Sequence, residues 1–241
     1  MHSGPERVSG KTQVSSPMIP SRPQRAFDEE RGHVPGNRSA DIRGNYDERL
    51  NHILEAATGL IARDGYEKAS MRAVAKEAGV SLAGLYHYFD SKERMLFLIQ
   101  FRTFNSLVNG LREKLHGVED PIEQLRMLVR CHVGYFAANM AALKVCSHEL
   151  DSLSGAAYEE ARRLRREYYA LAHGIVEKVC DAHVPEHALD RHVATMSLFG
   201  MLNWLYRWYD PKRGRSPSWV ANQIAEQFIH GLLGTADTPA R

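Results

Sequence analysis

The sequence predicts an all-α protein of about nine helices, and three observations favour that fold class. From Tyr46 onward, apolar residues recur at three- and four-residue intervals, which is the period of an amphipathic helix. No run shows the strict alternation of apolar and polar residues that is typical of a half-buried strand. Serine, aspartate, glycine and proline interrupt the pattern at positions that suit helix caps and turns.

Residues 1–45 are set apart from this pattern by their composition. They contain five Pro, five Gly and six Ser, with no sustained periodicity. Such a segment buries too little apolar surface to offset the entropy lost on ordering it. We therefore predict a disordered N-terminal extension, within which Met18 is a later candidate for the first residue.

The first predicted helix is amphipathic and ends at a glycine. Gly65 stands where a left-handed C-cap is expected. The inward face of the helix consists of Leu50, Ile53, Leu54, Ala57, Leu60 and Ile61.

Two short helices and the start of a long one are predicted next. Ser70 is the N-cap of the first short helix, Gly79 ends it, and Ser81 is the N-cap of the second. Asp90 is the predicted N-cap of a long fourth helix, with Glu93 as its capping-box partner.

The rest of the chain also has the pattern of helices. Asp120 before Pro121 is a helix start with proline at the first position, and Ser216 before Pro217 begins the last helix, which runs to about residue 233. Between them we predict helices over residues 145–153, 156–182 and 186–209.

Residues 70–92 carry the chemistry of the N-terminal part. Two short helices joined by a glycine turn form a helix-turn-helix, whose second helix can enter the major groove of DNA. Leu85 and Phe89 account for the buried side of that helix. The other side presents small, aromatic and imidazole side chains, which suit close approach to base edges and hydrogen bonds to phosphate. The predicted DNA-binding residues are Ser70, Arg72, Ser81, Leu82, Ala83, Gly84, Tyr86, His87 and Lys92.

This segment resembles the DNA-binding domain of TetR-family transcriptional regulators. The resemblance lies in the turn AKEAGVS (residues 75–81), the recognition helix LYHYF (85–89) and the entry SKE (91–93) to the fourth helix. It implies a homodimer whose subunits each have a DNA-binding domain and a larger ligand-binding and dimerisation domain. Most members of the family are repressors that release a palindromic operator when a small molecule binds.

Charge limits how such a protein can bind DNA. The chain has a net charge of only +2, which excludes a polybasic coat. Residues 66–95 hold five basic and four acidic side chains, so one DNA-binding domain neutralises few phosphates. Affinity must then come from two domains acting together. The N-terminal extension is weakly basic, and near Arg38 and Arg43 it is either a solvated segment or an arm that contacts DNA.

Polar residues within the otherwise apolar C-terminal helices are the candidate effector contacts, although each is also compatible with a satisfied core position. They are His132, Tyr135, His148, Tyr169 and Asn203. The stretch GMLNWLYRWYDP (residues 200–211) resembles a branch of TetR regulators that respond to fatty acyl-CoA or related CoA thioesters. Two further candidates within it are Trp204, as apolar surface for an acyl chain, and Arg207, as a cation for an anion. Several arginines either contact CoA phosphates or lie on a solvated face paired with glutamates. They are Arg126, Arg130, Arg162, Arg163, Arg165 and Arg166.

Residues 196–209 form a predicted helix that is apolar nearly all round, which is typical of burial on several sides. The resemblance implies that this helix and the last one pair with their mates in a four-helix dimer interface, while a monomeric core is the alternative. The predicted interface residues are Leu198, Leu202, Leu205, Trp208, Ile224 and Phe228.

Other function classes have no specific motif behind them. The chain contains no Gly-x-Ser-x-Gly elbow, phosphate-binding glycine loop or paired-histidine zinc motif, so we expect neither an enzyme nor a metal or cofactor site. Three cysteines at long spacing indicate no disulfide framework. No stretch suits a membrane span or a secretory signal, and we expect a cytoplasmic protein.

The sequence thus predicts four segments. They are a disordered extension (1–45), a helix-turn-helix domain (46–93), a ligand-binding and dimerisation domain (94–234) and a tail (235–241). The predicted function is a ligand-responsive DNA-binding regulator, a repressor in preference to an activator. Its partners are operator DNA, a small effector such as an acyl-CoA or fatty acid, and a second copy of the chain. The alternative is a helical small-molecule-binding dimer that no longer binds DNA.

Overall fold

The computed structural model describes residues 38–184 and 189–234, with side chains from Tyr46 onward. Ten α-helices and no strand occur in these residues. The helices are α1 (Arg38–Asp64), α2 (Met71–Glu77), α3 (Leu82–Tyr86), α4 (Lys92–Leu115), α5 (Pro121–Ala138), α6 (Met140–His148), α7 (Gly155–His183), α8 (Arg191–Asn203), α9 (Leu205–Trp208) and α10 (Pro217–Leu233). Only Trp204 separates α8 from α9, so these two form one interrupted helix. The predicted all-α fold of about nine helices is confirmed.

Short polar side chains begin several helices at the predicted residues. Ser70 and Ser81 each accept a hydrogen bond from the backbone N–H three residues further on, at 3.2 and 3.0 Å. Asp120 accepts from two backbone N–H groups behind Pro121, at 3.1 and 3.3 Å. These bonds satisfy donors that the first turn of a helix leaves open.

Two glycines form the turns that separate the first three helices. Gly65 has a φ of 85° and Gly79 a φ of 63°, both in the left-handed region that an L side chain rarely adopts. The predicted left-handed cap at Gly65 is confirmed. These turns fold α1, α2 and α3 into a compact unit, which we call the head; α4 to α10 form the body.

The ends of α1 and α4 differ from the prediction. The backbone of α1 begins at Arg38, ahead of the boundary predicted at residue 46, and no proline lies between Pro35 and the end of this helix. Residues 1–37 and 235–241, the rest of the predicted extension and the predicted tail, lie outside the described residues. The N-cap of α4 is Ser91 instead of Asp90, and its Oγ accepts from the N–H of Arg94 at 3.0 Å.

The helices of the body also differ in their bounds. The helix predicted over residues 145–153 begins at Met140 and ends at His148. The helix predicted over residues 186–209 is capped by Asp190, whose carboxylate accepts from the N–H of Val193 at 2.8 Å, and Trp204 interrupts it. Periodicity alone does not place such breaks, because both halves continue the same apolar face.

Two apolar clusters make the core. One joins the head to the start of α4 and to Val145, Leu153 and Ala161 of the body. The other lies among the rest of α4, α5, α7, α8, α9 and α10. Helix α4 contributes to both clusters, so the domain boundary predicted between residues 93 and 94 falls inside a helix that connects them.

Hydrogen bonds also join the head and the start of α4 to the connection between α6 and α7. The backbone N–H of Tyr66 donates to the Glu149 carboxylate at 3.2 Å. The Glu93 carboxylate accepts from both the backbone N–H and the hydroxyl of Ser154, at 2.7 and 2.8 Å. Glu93 therefore contacts the α6–α7 connection and is not the capping-box partner that the sequence predicts.

Candidate functional site

The second helix of the helix-turn-helix is anchored on one side and open on the other. Leu85 is fully buried and Phe89 is 1% exposed, so together they fix α3 against α1 and α2. Ser81, Ala83, Tyr86 and His87 are exposed, and Tyr86 has half of its surface free. This is the division between buried and exposed sides that the sequence predicts for a recognition helix.

Gly84 is required for a close approach within α3. A Cβ at this position would lie 3.1 Å from the Ser81 Oγ, the atom that caps the helix. A side chain at Gly84 would therefore push against the cap. Leu82 is half-buried against the head core, so it has less free surface than the other predicted DNA-binding residues of α3.

The basic side chains near α3 differ in their exposure and in the contacts that they already make, and therefore in their availability to a DNA phosphate. Arg72 is exposed and makes no ion pair within the described residues. Lys92 is partly buried: its Nζ donates to the carbonyl of Glu67 at 3.2 Å and lies 4.0 Å from the centre of the Tyr66 ring. The ammonium of Lys92 has three donors, so it retains capacity for a further acceptor.

Tyr88 is a packing residue beside the recognition helix. Its ring stacks on Tyr46 of α1 with the ring centres 4.9 Å apart, and the His87 ring meets it edge-on at 5.6 Å. This contact holds the exposed His87 beside the N-terminal part of α1.

Inside the body lies a histidine–tyrosine pair. The Nδ1 atom of His132 is 3.1 Å from the hydroxyl of Tyr168, and both side chains are 2% exposed. Burial lowers the pKa of His132 to about 3, so its ring is neutral. Its Nε2 atom has no hydrogen-bond partner among the described residues.

Gln100 on α4 and Arg165 on α7 also carry buried polar atoms without partners. Gln100 is fully buried, and neither amide atom has a partner among the described residues. The guanidinium of Arg165 donates to the Cys146 carbonyl and lies 5.0 Å from the centre of the Phe104 ring, while its Nε is unpaired. Sequence reasoning missed Gln100 and Tyr168 as candidates, although Gln100 stands at an inward position of α4 and Tyr168 at an inward position of α7.

The other predicted effector contacts do not converge on these groups. Tyr135 is partly buried, and burial raises the pKa of its hydroxyl. The hydroxyl of Tyr169 is 2.6 Å from the Nδ1 of His192. His148 is exposed, with its Nε2 2.8 Å from the hydroxyl of Tyr206.

Three of the predicted effector residues lie on the surface. Asn203, Trp204 and Arg207 are all exposed, and the Arg207 guanidinium lies 5.6 Å from the centre of the Trp204 ring. Asn203 ends α8, Trp204 is the interruption and Arg207 lies within α9. A contact of these three with an effector would therefore lie at the surface of the subunit, and it stays a prediction.

Most of the predicted interface residues pack inside the subunit. Leu198, Leu202 and Leu205 are fully buried, and Ile224 and Phe228 are less than a tenth exposed. A side chain with no exposed surface cannot contact a second subunit, so the prediction is wrong for the three leucines. The physical reason is that α5 and α7 pack against this side of the interrupted helix.

The opposite side of α8 and α9 is apolar and exposed. Met196 is 50% exposed, Trp204 and Trp208 are each 56% exposed, and Trp219 of α10 is 46% exposed. The three tryptophans, with their neighbours, line an open groove of about 640 Å³ between the interrupted helix and α10, and Met196 lies one turn of α8 before the lining residue Gly200. We call this surface the tryptophan groove. Two predicted interface residues line it, Trp208 and the mostly buried Ile224.

The arginines considered for CoA phosphates divide into three kinds. Arg126 pairs with Glu226 at 2.7 Å, Arg130 with Glu123 at 3.0 Å and Arg163 with Glu160 at 2.8 Å. These three are members of glutamate-paired faces. Arg162 and Arg166 are exposed, and Arg165 alone of the set points to the interior. Within residues 38–184 and 189–234, no group of three or more His, Cys, Asp or Glu side chains could hold a metal ion, and no helix is long and apolar enough to cross a membrane.

The head and the body each match a known family model. The model described as bacterial regulatory proteins of the tetR family matches residues 53–99, and the tetracycline repressor-like C-terminal domain matches residues 118–232. The HTH-type transcriptional repressor KstR of Rhodococcus jostii (strain RHA1) is 35% identical over 190 residues, which span 78% of this chain and 84% of KstR. The chain belongs to the TetR family. The resemblance that residues 75–93 suggest is thereby confirmed.

Solved TetR-family structures share the fold. PfmR from Thermus thermophilus is 31% identical, with a TM-score of 0.67 over 75% of this chain and 98% of PfmR. AibR, solved in complex with isovaleryl coenzyme A and operator DNA, is 25% identical, with a TM-score of 0.65 over 77% of this chain and 98% of AibR. This TetR-family chain is therefore a transcriptional regulator whose head is the DNA-binding unit.

Proposed function

We propose that the protein is a homodimeric repressor that binds a palindromic operator and is released by a small hydrophobic effector such as an acyl-CoA. The observation that carries the proposal is the state of α3. Its cap and its buried anchors are intact, and its outer side presents Ser81, Ala83, Tyr86 and His87 without an occupying contact from the body. Small side chains and hydrogen-bond donors that are exposed together on a recognition helix suit contact with base edges and phosphates. This surface favours a head that binds an operator over one that no longer does.

The tryptophan groove supports the proposed homodimer. Three exposed tryptophans and a methionine on one face are unusual for a monomer, whose large apolar patches mark interaction sites. A two-fold interface uses the same patch on both subunits, which brings two heads to one operator. The interface residues of the proposal are accordingly Met196, Trp204, Trp208 and Trp219, in place of the buried leucines.

Two relatives support the type of regulation and of effector. KstR is named a repressor, and AibR is solved with a coenzyme A thioester and operator DNA together. By analogy with these proteins we assign repression and an acyl-CoA-type effector to this chain.

A mobility-shift assay with DNA from upstream of the protein's own gene tests the proposal. The double variant Tyr86→Ala, His87→Ala should lose the shift and keep the oligomeric state, because both side chains are exposed on α3. His116→Ala, an exposed histidine at the far end of α4, is the matched control and should shift DNA as the unmodified protein does.

Two results would contradict the proposal. If no DNA from that neighbourhood shifts at moderate salt, the alternative of a small-molecule-binding dimer without an operator stands instead. If no acyl-CoA or fatty acid in a thermal-shift panel stabilises the protein, the proposed class of effector is wrong while the DNA-binding assignment is unaffected.

A further inference from the structure

Four side chains in the body carry buried polar atoms with no hydrogen-bond partner among the described residues. One of them, Arg191 on α8, pairs with Asp181 through another nitrogen of its guanidinium, and the other three lie on α4, α5 and α7. In those three, the unpaired atoms are both amide atoms of Gln100, the Nε2 of His132 and the Nε of Arg165. More than nine in ten buried polar groups in proteins have a partner, because an unpaired one loses its hydration without compensation. Three such side chains in one region therefore need a common explanation.

These side chains lie along one seam between α4 and α7. Gln100 and Phe104 are four residues apart and share a face of α4. The guanidinium of Arg165 is 5.0 Å from the centre of the Phe104 ring, and the Phe104 and Tyr168 rings are 6.4 Å apart. Tyr168 then reaches His132 through its hydroxyl. We call Gln100, Phe104, His132, Arg165 and Tyr168 the α4–α7 seam.

Arg165 is partly buried on α7 and has no carboxylate within ion-pair distance among the described residues, although the more distant charge of Asp151 offsets part of the lowering of its pKa by burial. Arg163 pairs with Glu160 and Glu167, whereas Arg165 forms no ion pair within the described residues. Burial lowers the pKa of Arg165, but a guanidinium stays protonated at neutral pH. The seam thus holds one partly desolvated positive charge beside the Phe104 ring, and an unpaired amide one turn of α4 before that ring.

We propose that the effector carries a carboxylate that binds Arg165, while its apolar part lies along the rings of the seam and the Gln100 amide completes the hydrogen bonding. This rests on the proposed function, since it assumes a small hydrophobic effector. A single carboxylate matches the single charge of Arg165 and forms a charge-assisted pair with a guanidinium. The phosphates of coenzyme A would bring several negative charges to one cation, and a neutral thioester carbonyl would leave the charge unbalanced.

The carboxylate has two chemical sources. It is either the head of a free long-chain or alicyclic carboxylic acid, or the distal carboxylate of a dicarboxylic acid held as a CoA thioester. Titration calorimetry on the full chain separates them with three probes of equal chain length: palmitate, palmitoyl-CoA and the mono-CoA thioester of hexadecanedioic acid.

Arg165→Gln is the main variant, because glutamine still donates to the Cys146 carbonyl but carries no charge. It should weaken binding of the carboxylate-bearing probe about 10- to 100-fold, the loss typical of a hydrogen bond to a charged group. Arg166→Gln, an exposed neighbour on the same helix, should leave binding unchanged. Arg165→Lys, which retains the charge, should recover part of the loss.

Gln100→Leu separates binding from packing. Removal of an unpaired buried amide by a side chain of similar size should raise the Tm of the free protein and lower the affinity for the carboxylate-bearing probe. A Tm that falls while affinity is unchanged would mean that Gln100 only fills space, and it would overturn its role in the site.

The inference is overturned if palmitoyl-CoA binds at least as tightly as both carboxylate-bearing probes, if Arg165→Gln binds those probes as well as the unmodified protein does, or if neither of those probes binds. The first two results leave the proposed acyl-effector function standing. The mobility shift with operator DNA, measured on the same variants, reports separately on the DNA-binding part of the proposed function.

Discussion

His132 shows how one buried side chain links stability to pH. It is fully enclosed by the body, with the Phe136 ring 4.8 Å and the Phe199 ring 6.2 Å from its own. Burial lowers its folded-state pKa to about 3, below its ordinary value of 6.5. The unfolded chain therefore binds a proton in the interval between these two pKa values, and the folded chain does not. The stability that neutral His132 contributes is present above about pH 6.5 and is lost progressively as the pH falls towards 3.

This loss of stability at low pH gives a prediction for His132→Gln, which keeps a polar group facing Tyr168 but removes the titrating imidazole. Between pH 7.5 and 5.5 the unmodified protein should lose about 1.4 kcal/mol more free energy of unfolding than the variant, because its His132 must stay neutral in the folded state. Urea unfolding at the two pH values measures this difference. His116→Gln, an exposed histidine, serves as the control and should keep the pH dependence of the unmodified protein. Equal pH dependence in all three would contradict the assignment.

At the scale of elements, the connection between α6 and α7 ties the body to the head and to the start of α4. Glu93 accepts two hydrogen bonds from Ser154, and Glu149 accepts one from Tyr66 and one from Ser152. Glu93→Gln replaces a carboxylate acceptor by a neutral one, so we expect the free energy of unfolding to fall by about 1–2 kcal/mol. Urea unfolding followed by circular dichroism measures it.

An exposed glutamate on the same helix provides the comparison for this variant. Glu113→Gln should change the free energy of unfolding by less than about 0.5 kcal/mol, as is usual for surface positions. If Glu93→Gln has no larger effect than Glu113→Gln, the hydrogen bonds to Ser154 do not stabilise the contact between α4 and the α6–α7 connection.

The elements also show which features a sequence can predict. Helix starts at Ser70, Ser81 and Asp120 are decided by side chains within a single turn, and each is confirmed. The outer side of α3 could be predicted for the same reason, because Leu85 and Phe89 fix which side of a short helix is buried.

Features that depend on contacts distant in sequence could not be predicted. The exposed side of a helix that is apolar all round depends on which neighbours pack against it, so buried Leu198 was not distinguishable from exposed Met196. Gln100 and Tyr168 were missed because their significance comes from unpaired atoms and from a partner on another helix. Glu93 satisfies the capping-box pattern, yet it bonds to Ser154, which lies far along the chain.

At the scale of the whole molecule, the small charge of each head makes operator binding depend on the dimer. Two heads on one palindrome gain affinity through effective concentration, by roughly 10²- to 10⁴-fold over a single head. The dimer in turn depends on the tryptophan groove, whose apolar side chains are exposed in the single subunit.

Met196→Arg tests this dependence with little risk to the fold, since half of the Met196 side chain is already exposed. A buried, unpaired charge at a two-fold interface faces its own copy, so the variant should sediment as a monomer. Its affinity for operator DNA should fall by at least about 100-fold, although α3 is unchanged.

Leu198→Ala is the control for this variant. It removes a fully buried side chain, so it should lower the Tm while the protein still sediments as a dimer. A dimeric Met196→Arg variant that retains full operator affinity would show that the two subunits meet elsewhere, because a desolvated arginine pair at this groove could not be accommodated without loss.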